Sequence, residues 1–266
     1  MNAKTLILVA GCLMPFVAGW SAAQDDVDAA PGAPVFSGID TTPPTVTAPI
    51  QKIANGKVGA TVPINVRWSA TDADGPVTYK LWRSTNGGAF VRDKTLGPTA
   101  TSRTYRLTAG NSYRFLVRAY DDAGNSSAPA RGPTFTPIVI DDRACCSYTV
   151  VGVGSSWIGE SASEAYMGTL TKFLTKHYSV RGVLGNARYT FTGRDVAYVA
   201  SLGSDWTNAT VTIDGVLFSD VNLNRNVSAD GQIVISKHWP NSRTHTIEVS
   251  SNSSGWFNVD AFVVNE

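Results

Sequence analysis

Short segments of this chain alternate apolar and polar residues with a period of two, and this feature limits its fold more than any other. Ile64, Val66 and Trp68 share one face of such a segment, and Tyr113 and Phe115 share one face of another. Because successive side chains of a strand point to opposite sides of a sheet, the pattern predicts β-strands that bury one face.

Turn-forming residues separate these segments. Asp74-Gly75, Gly87-Gly88, Gly110-Asn111 and Gly124-Asn125 each lie between two alternating runs. Strands this short, with turns this frequent, predict an antiparallel β-sandwich.

The C-terminal half carries a second set of alternating segments. The predicted strands are Arg188–Thr192, Asp195–Ala200, Thr210–Ile213, Leu217–Leu223, Gly231–Ser236, Thr244–Ser250 and Phe257–Val264. Asp214-Gly215 lies between two apolar runs, which is a strong signal for a two-residue hairpin. Residues 163–177 are ambiguous, and we interpret them as a strand and a loop. The predicted fold class is all-β, with two antiparallel β-sandwich domains.

The composition excludes several classes of partner. The 266 residues include 22 Lys plus Arg and 21 Asp plus Glu, so the formal net charge is only +1. This balance lacks the excess of positive charge that is typical of proteins that bind nucleic acid or an anionic membrane surface. The 43% hydrophobic content is enough for a sizeable core and too high for a disordered chain.

The N-terminus has the pattern of a secretory signal peptide at residues 1–23. Lys4 precedes an uncharged apolar run, and small residues lead to a predicted cleavage after Ala23. A lipoprotein site at Cys12 is the alternative, although the apolar run continues past it. The chain is therefore predicted to be secreted or held at the cell surface, with no membrane-spanning segment. Residues 24–43, acidic and rich in Pro and Ala, are predicted to be a flexible linker.

Cys145 and Cys146 are neighbours in sequence, so a bridge between them could not close a stabilising loop. Two free thiols or an incidental ring in a linker is the favoured interpretation. An intermolecular bridge or a redox-sensitive pair remains the alternative.

A stretch rich in Pro and Asp near residues 136–143 marks the boundary between the two domains. We predict a first domain at residues 44–140, an interdomain linker at 141–147 and a second domain at 148–266.

Residues 44–137 resemble a fibronectin type III domain. Trp68 falls where that family buries a tryptophan on its second strand, and Tyr79 matches a tyrosine on the third. Leu107 and Tyr113 have the spacing of the family's tyrosine corner. The resemblance implies an immunoglobulin-like sandwich that acts as a spacer, with Trp68 and Tyr113 in its core.

Four carboxylates are expected at one pole of this first sandwich. Asp72 and Asp74 lie in one loop, and Asp121 and Asp122 lie in another. Clustered oxygen ligands suit Ca²⁺. Since Asp and Gly are also common turn residues, the favoured interpretation is that these are turns and that no cofactor is needed.

The second domain has the sequence pattern Tyr189-Thr-Phe-Thr-Gly193, then Val211-Thr-Ile-Asp-Gly215, and it ends with Val259-Asp-Ala-Phe-Val-Val264. It resembles the galactose-binding-like jelly rolls of exported bacterial proteins, which include carbohydrate-binding modules. The resemblance implies a jelly-roll fold over residues 148–266 and a glycan as the ligand.

A sugar site needs an aromatic platform beside groups that form hydrogen bonds with hydroxyls. Trp206 and Trp256 lie in polar loops and are the predicted platforms, with Asn208 as a hydrogen-bonding partner. Related carbohydrate-binding jelly rolls have an Asn-x-Asp in the last strand whose Asn can touch ligand, and this resemblance implies the same role for Asn258.

Two further tryptophans and one carboxylate have a different expected role. For Trp157 and Trp239 a packing role is favoured. Asp260 shares a face with apolar neighbours and is expected to be partly buried, where it needs a cation or hydrogen-bond donors. An Arg or a backbone donor is favoured over Ca²⁺.

The chain shows no Gly-x-Ser-x-Gly, His-Glu-x-x-His or phosphate-loop motif, so we predict no catalysis. The predicted function is that of a secreted, non-catalytic carbohydrate-binding protein with a polysaccharide or cell-surface glycan as partner. The alternative is a structural or adhesive protein that binds extracellular proteins or itself.

Overall fold

The computed structural model describes residues 39–151, 158–161, 175–178, 184–251 and 257–266. The predictions for the signal peptide, for Cys12, for Trp157 and for Trp256 lie outside these ranges, as does most of 163–177. Within the described ranges the only helix is the four-residue α1 (Asp142–Cys145). The all-β class with antiparallel sandwiches is confirmed. None of the described elements is a helix long and apolar enough to cross a membrane.

Ten strands precede residue 132. They are β1 (Thr45–Val46), β2 (Ile50–Ile53), β3 (Gly56–Lys57), β4 (Thr61–Arg67), β5 (Ala70–Thr71), β6 (Thr78–Thr85), β7 (Val91–Arg92), β8 (Ser102–Thr108), β9 (Tyr113–Tyr120) and β10 (Ala130–Arg131). The sheet β2-β4-β8 and the sheet β10-β9-β6-β7 are both antiparallel. Their apolar residues form one buried cluster, and we call this unit the N-terminal sandwich.

Ten further strands follow. They are β11 (Pro137–Asp141), β12 (Ser147–Val151), β13 (Ile158–Ser161), β14 (Thr175–Tyr178), β15 (Leu184–Leu202), β16 (Asn208–Ile213), β17 (Val216–Asn222), β18 (Ala229–Ser251), β19 (Asn258–Val259) and β20 (Ala261–Asn265). The largest sheet has the order β11-β20-β15-β18-β16-β17, and β13-β14-β19 form a second sheet. We call this unit the C-terminal sandwich.

The alternation in the first half is explained by burial inside the N-terminal sandwich. Trp68, Tyr79 and Tyr113 are all buried, so the predicted core positions of Trp68 and Tyr113 are confirmed. The Tyr113 hydroxyl donates to the Thr108 carbonyl at 3.1 Å, which gives its one polar atom a partner.

The predicted hairpin at Asp214-Gly215 is confirmed. Asp214 has φ 53° and Gly215 has φ 77°, and Ile213 pairs directly with Val216 across the turn. Positive φ at both central residues is the geometry that matches the twist of the flanking strands, which is why Asp-Gly is so common there.

Four of the predicted strands merge into two long ones. Residues predicted as separate strands on either side of Gly193 form the single strand β15, which pairs with β18 through register shifts such as that at Gly193/Asp195. A Cβ at Gly193 would lie 2.8 Å from the Asn265 carbonyl oxygen, so a glycine is needed where the chains approach this closely.

The segment predicted as an interdomain linker, residues 141–147, contains regular secondary structure. Asp141 ends β11, α1 follows, and β12 starts at Ser147. Cys146 is disulfide-bonded. In addition, β11 pairs along its whole length with the last strand, from Pro137↔Asn265 to Asp141↔Ala261. Residues 137–140, which were predicted to belong to the first domain, therefore form an edge of the C-terminal sandwich.

The two sandwiches share a hydrophobic core. Val199, Ile233 and Val263 of the C-terminal sandwich lie in the same buried cluster as Ile53 and Val58. Backbone pairing continues across this contact, since β3 pairs with β18. Residues 40–266 accordingly form one compact unit.

Candidate functional site

The loop between β15 and β16 carries Trp206, one of the predicted platforms. The side chain is half-buried and packs against the core of the C-terminal sandwich. Gly203 makes room for the indole ring, because a Cβ there would lie 3.3 Å from both Cδ1 and Nε1 of Trp206. The ring is therefore held by its own loop, with part of its surface open to solvent.

The turn after β17 fixes this loop, a role that the sequence analysis did not find. The amide of Asn224 donates to the carbonyl of Ser204 at 2.8 Å and to that of Trp206 at 3.1 Å. The backbone N–H of Arg225 donates to Gly203 O at 3.0 Å, and that of Asn224 to the side chain of Asn222 at 2.8 Å. An Asn two residues after another Asn at a strand end is a signal for such a turn.

A polar row lies next to the Trp206 loop. Asn208 starts β16, is exposed, and is the direct cross-strand partner of Asn222, which is also exposed. The next pair in the row is Thr210 and Asp220, whose side chains are joined by a 2.6 Å hydrogen bond. Directly paired residues share a face of a sheet, so these four side chains form one polar surface.

A groove of about 410 Å³ adjoins this row. Asp220, Asn222, Arg225 and Gln232 line it from the C-terminal sandwich, and Asn55 lines it from the N-terminal sandwich. The size is within the usual range of small-ligand sites, and the lining offers both donors and acceptors. The groove is lined by residues of both sandwiches.

Asn258 is not a surface group, which corrects the prediction that it contacts ligand. It is fully buried; its Oδ1 accepts from the Ser201 N–H at 2.8 Å and its Nδ2 donates to the Ser201 carbonyl at 3.0 Å. The Tyr198 hydroxyl donates to the Asn258 carbonyl. The amide satisfies buried backbone groups and is not accessible to a sugar. Asp260 is buried, as expected.

The predicted metal ligands divide into two groups. Asp72 and Asp74 lie together with Asp40, with one oxygen from each carboxylate within 4.8 Å of the others. The Asp121 carboxylate instead accepts two hydrogen bonds from Asn125, one from its backbone N–H at 2.8 Å and one from its side-chain amide at 2.9 Å. Asp122 lies near Gly75, in the same region of the N-terminal sandwich. Ca²⁺ at this pole stays a prediction.

Two histidine–carboxylate pairs were not predicted. His238 Nδ1 lies 2.8 Å from the buried carboxylate of Asp195, which also accepts from Asn265 at 2.9 Å. Burial raises the pKa of Asp195, and the hydrogen bonds from Asn265 and His238 oppose this. Both partners of Asp195 belong to paired strands, so the group serves to join β15, β18 and β20.

The second pair lies at the Asp214 hairpin. His245 Nδ1 is 2.7 Å from the Asp214 carboxylate, and its ring stacks on Trp239 with centroids 3.9 Å apart. Burial would raise the pKa of Asp214, but the hydrogen bonds from His245 and the Thr246 N–H outweigh it and lower the pKa. The packing role expected for Trp239 agrees with its place at the edge of the core.

No protein-family model matches the chain. The chain is similar to segments of chitinase A1 from Niallia circulans, at 29% identity over 189 residues, and of endoglucanase B from Cellulomonas fimi, at 38% over 142 residues. These matches cover 63% and 52% of this chain but only 26% and 13% of the two enzymes. Exoglucanase B of the same organism matches 66% of the chain at 28% identity and is covered to 17%. The chain therefore spans about a quarter or less of each relative.

The solved structures with a similar backbone include both enzymes that act on carbohydrates and carbohydrate-binding modules. A family 35 module from an environmental isolate matches 47% of this chain and 91% of its own, at 12% identity and a TM-score of 0.32. A family 36 module in complex with calcium and xylotriose matches 48% and 98%, at 13% identity and a TM-score of 0.28. Likeness at this level does not assign a ligand to this chain.

Proposed function

We propose that this chain is an exported, non-catalytic glycan-binding protein. Its binding site is formed by Trp206, the row of Asn208 and Asn222, and the adjoining groove. The N-terminal sandwich contributes one wall of that groove through Asn55 and so supports the site directly.

The observation that carries this proposal is the fixed position of Trp206 beside exposed amides. Sugars present an apolar CH face and several hydroxyls, and the flat indole ring suits the first while Asn side chains suit the second. Because Asn224 holds the loop in place, little ordering is needed on binding, which favours affinity.

The relatives support an accessory role. A chitinase and two glucanases are named for different substrates, yet each contains a segment similar to this chain. The shared segment is only a small part of each enzyme, which favours a function that is separate from the cleavage of one particular bond.

A second candidate is adhesion to proteins, and the tip of the β16–β17 hairpin favours it. Val216 and Leu217 are 69% and 63% exposed there. Large apolar side chains that adjoin each other at a surface are typical of contact sites, although two residues form only a small patch.

The test is binding of residues 24–266 to insoluble chitin, cellulose and xylan. We expect retention on at least one of them, and Trp206→Ala should weaken it about tenfold or more, as for other aromatic anchors. Trp82→Ala, which removes a half-buried tryptophan from the N-terminal sandwich, is the matched control and should bind like the wild type.

Three other outcomes would each contradict part of the proposal. Retention on none of the three polysaccharides would argue against glycan binding, and equal loss in Trp206→Ala and Trp82→Ala would argue against this site. Association that rises with concentration and is abolished by Leu217→Asp would instead support adhesion.

A further inference from the structure

A groove in the N-terminal sandwich concentrates positive charge in a chain that is otherwise nearly neutral. It has a volume of about 570 Å³ and is bordered by β6, β7, β8 and the segment after β7. Arg83, Arg92, Lys94 and Arg103 line it, with Asp93 as the only acidic residue in its lining. The balance of 22 basic and 21 acidic residues over the whole chain therefore does not hold locally.

Asp93 neutralises only one of these cations. Its carboxylate forms an ion pair of 3.0 Å with Arg103 and accepts the Tyr105 hydroxyl at 2.7 Å. Thr95 donates to the same carboxylate from its N–H at 3.0 Å and from its hydroxyl at 2.8 Å. Burial would raise the pKa of Asp93, but the hydrogen bonds from Tyr105 and Thr95 outweigh it and lower the pKa. The carboxylate is charged and its acceptor capacity is used within the groove.

The remaining three cations have no acidic partner among the residues that the structure describes. The Arg83 guanidinium instead lies over two rings, with its Cζ 5.9 Å from the centroid of Tyr105 and 6.0 Å from that of Tyr113. Arg103 approaches the Tyr105 ring as well, at 5.2 Å. Two guanidinium groups therefore approach one aromatic ring, and an anion bound in the groove would offset their like charge.

The side chains that form this arrangement are held in place. The Tyr105 ring packs on the core residue Phe115, with centroids 5.0 Å apart, and its hydroxyl is fixed by Asp93. Arg103 also donates to the Thr95 hydroxyl at 2.6 Å. A guanidinium whose geometry is set in advance loses less entropy when it binds an anion than a freely moving one does.

We propose that this groove binds the carboxylate groups of an acidic glycan. Planar guanidinium groups match carboxylates through paired hydrogen bonds, and a second cationic rim formed by Arg92 and Lys94 suits a ligand with repeated charges. Val91, which also lines the groove, is 70% exposed and offers an apolar contact for a sugar ring. The choice of a glycan over an acidic peptide rests on the proposed function, whereas the presence of an anion site does not.

The experiment is a titration of residues 24–266 with hexagalacturonate in low salt, in which calorimetry measures the dissociation constant. We expect binding that weakens as salt is raised, since the contacts are between exposed charges. Arg83→Gln and the double variant Arg92→Gln/Lys94→Gln should each reduce affinity about tenfold, because each removes charge-assisted contacts. Lys80→Gln is the matched control: its ammonium lies 3.7 Å from the Tyr120 ring outside this groove, and its loss should change nothing.

Three comparisons make the outcome decisive. The methyl-esterified hexamer should bind at least about tenfold more weakly, and equal binding would overturn the proposal. Poly-glutamate that binds as well as hexagalacturonate would overturn the choice of a glycan, and dextran sulfate that binds more tightly would overturn the preference for carboxylates. Trp206→Ala should leave hexagalacturonate binding unchanged, so this proposal and the proposed function can fail separately.

Discussion

Val139 in β11 is the cross-strand partner of Val263 in β20, so the chain that leaves the N-terminal sandwich pairs at once with the last strand of the protein. Both side chains belong to the buried cluster that also holds the core of the N-terminal sandwich. The unit of folding is therefore expected to be the pair of sandwiches. This arrangement also places Asn55 beside the C-terminal groove.

The shared core predicts one cooperative unfolding transition for the whole protein. Ile233→Asp places a carboxylate among buried apolar residues of both sandwiches and should uncouple them, so that differential scanning calorimetry shows two transitions. Val211→Ala, in the separate core of the C-terminal sandwich, should lower stability by about 2 kcal/mol and preserve a single transition. Two transitions in the wild-type protein would contradict the shared core.

The pair of Asp214 and His245 predicts a dependence of stability on pH. The folded state lowers the pKa of Asp214, so this carboxylate stabilises the fold above its unfolded pKa, and the contribution is lost as pH falls through the lower folded pKa. Asp214→Asn, which still tolerates positive φ, should be less stable than wild type at pH 6 by less than about 1 kcal/mol, since the group is half exposed. Urea unfolding at pH 6 and at about pH 2 measures this, and a difference that persists in acid would contradict it.

The hydrogen bonds of Asn224 predict that glycan affinity depends on a residue that need not touch the ligand. Asn224→Ala frees the loop of Trp206 and should weaken glycan binding severalfold, while the free energy of unfolding falls by about 1 kcal/mol. Asn226→Ala, an exposed position in the same turn, is the control and should match the wild type in both measurements. A loss of affinity as large in Asn226→Ala would show that the turn acts in some other way.

The acidic cluster of Asp40, Asp72 and Asp74 gives a test of the two interpretations of this pole. If these are turn residues, Asp74→Asn relieves like-charge repulsion and should raise the melting temperature slightly in EDTA. Addition of Ca²⁺ should then leave the melting temperature of both the wild type and the variant unchanged. We expect this result. A rise in the melting temperature of the wild type on addition of Ca²⁺, absent from the variant, would support a metal site instead.

The strands could be predicted from the sequence because burial on one face leaves a period of two. Residues 64–68 and 113–117 show this pattern, and so does the hairpin at Asp214-Gly215, where only a few residue types tolerate positive φ at both positions. The last strand does not show it. Ala261 and Val263 face the core shared by the two sandwiches, while Phe262 and Val264 face the separate core of the C-terminal sandwich. Because both faces are apolar, the sequence pattern does not show which face of this strand is buried. Asn258 was assigned to the ligand from the resemblance to carbohydrate-binding jelly rolls, whereas it lies in β19 and is fully buried.

Some residues of the candidate site could be predicted from the sequence, and others could not. Trp206 and Asn208 were identified from the sequence, because an aromatic residue in a polar loop is unusual in its own neighbourhood. The positions of Asn222, Asn224 and Asn55 depend on pairings between residues that are far apart in the chain. Arg83 and Arg103 are likewise 20 residues apart in the chain, and both approach the ring of Tyr105.

The sequence alone determined the all-β class, the tight turns and which faces of strands such as residues 64–68 and 113–117 are buried, since each of these signals depends on residues close together in the chain. Tertiary structure decided that the two sandwiches share a core, that β11 pairs with β20 in the C-terminal sheet, and that four cations of a nearly neutral chain line one groove. These depend on which strand edges and apolar faces meet. Alternation within a strand shows which face is buried, but it does not show which other strand or sheet packs against that face.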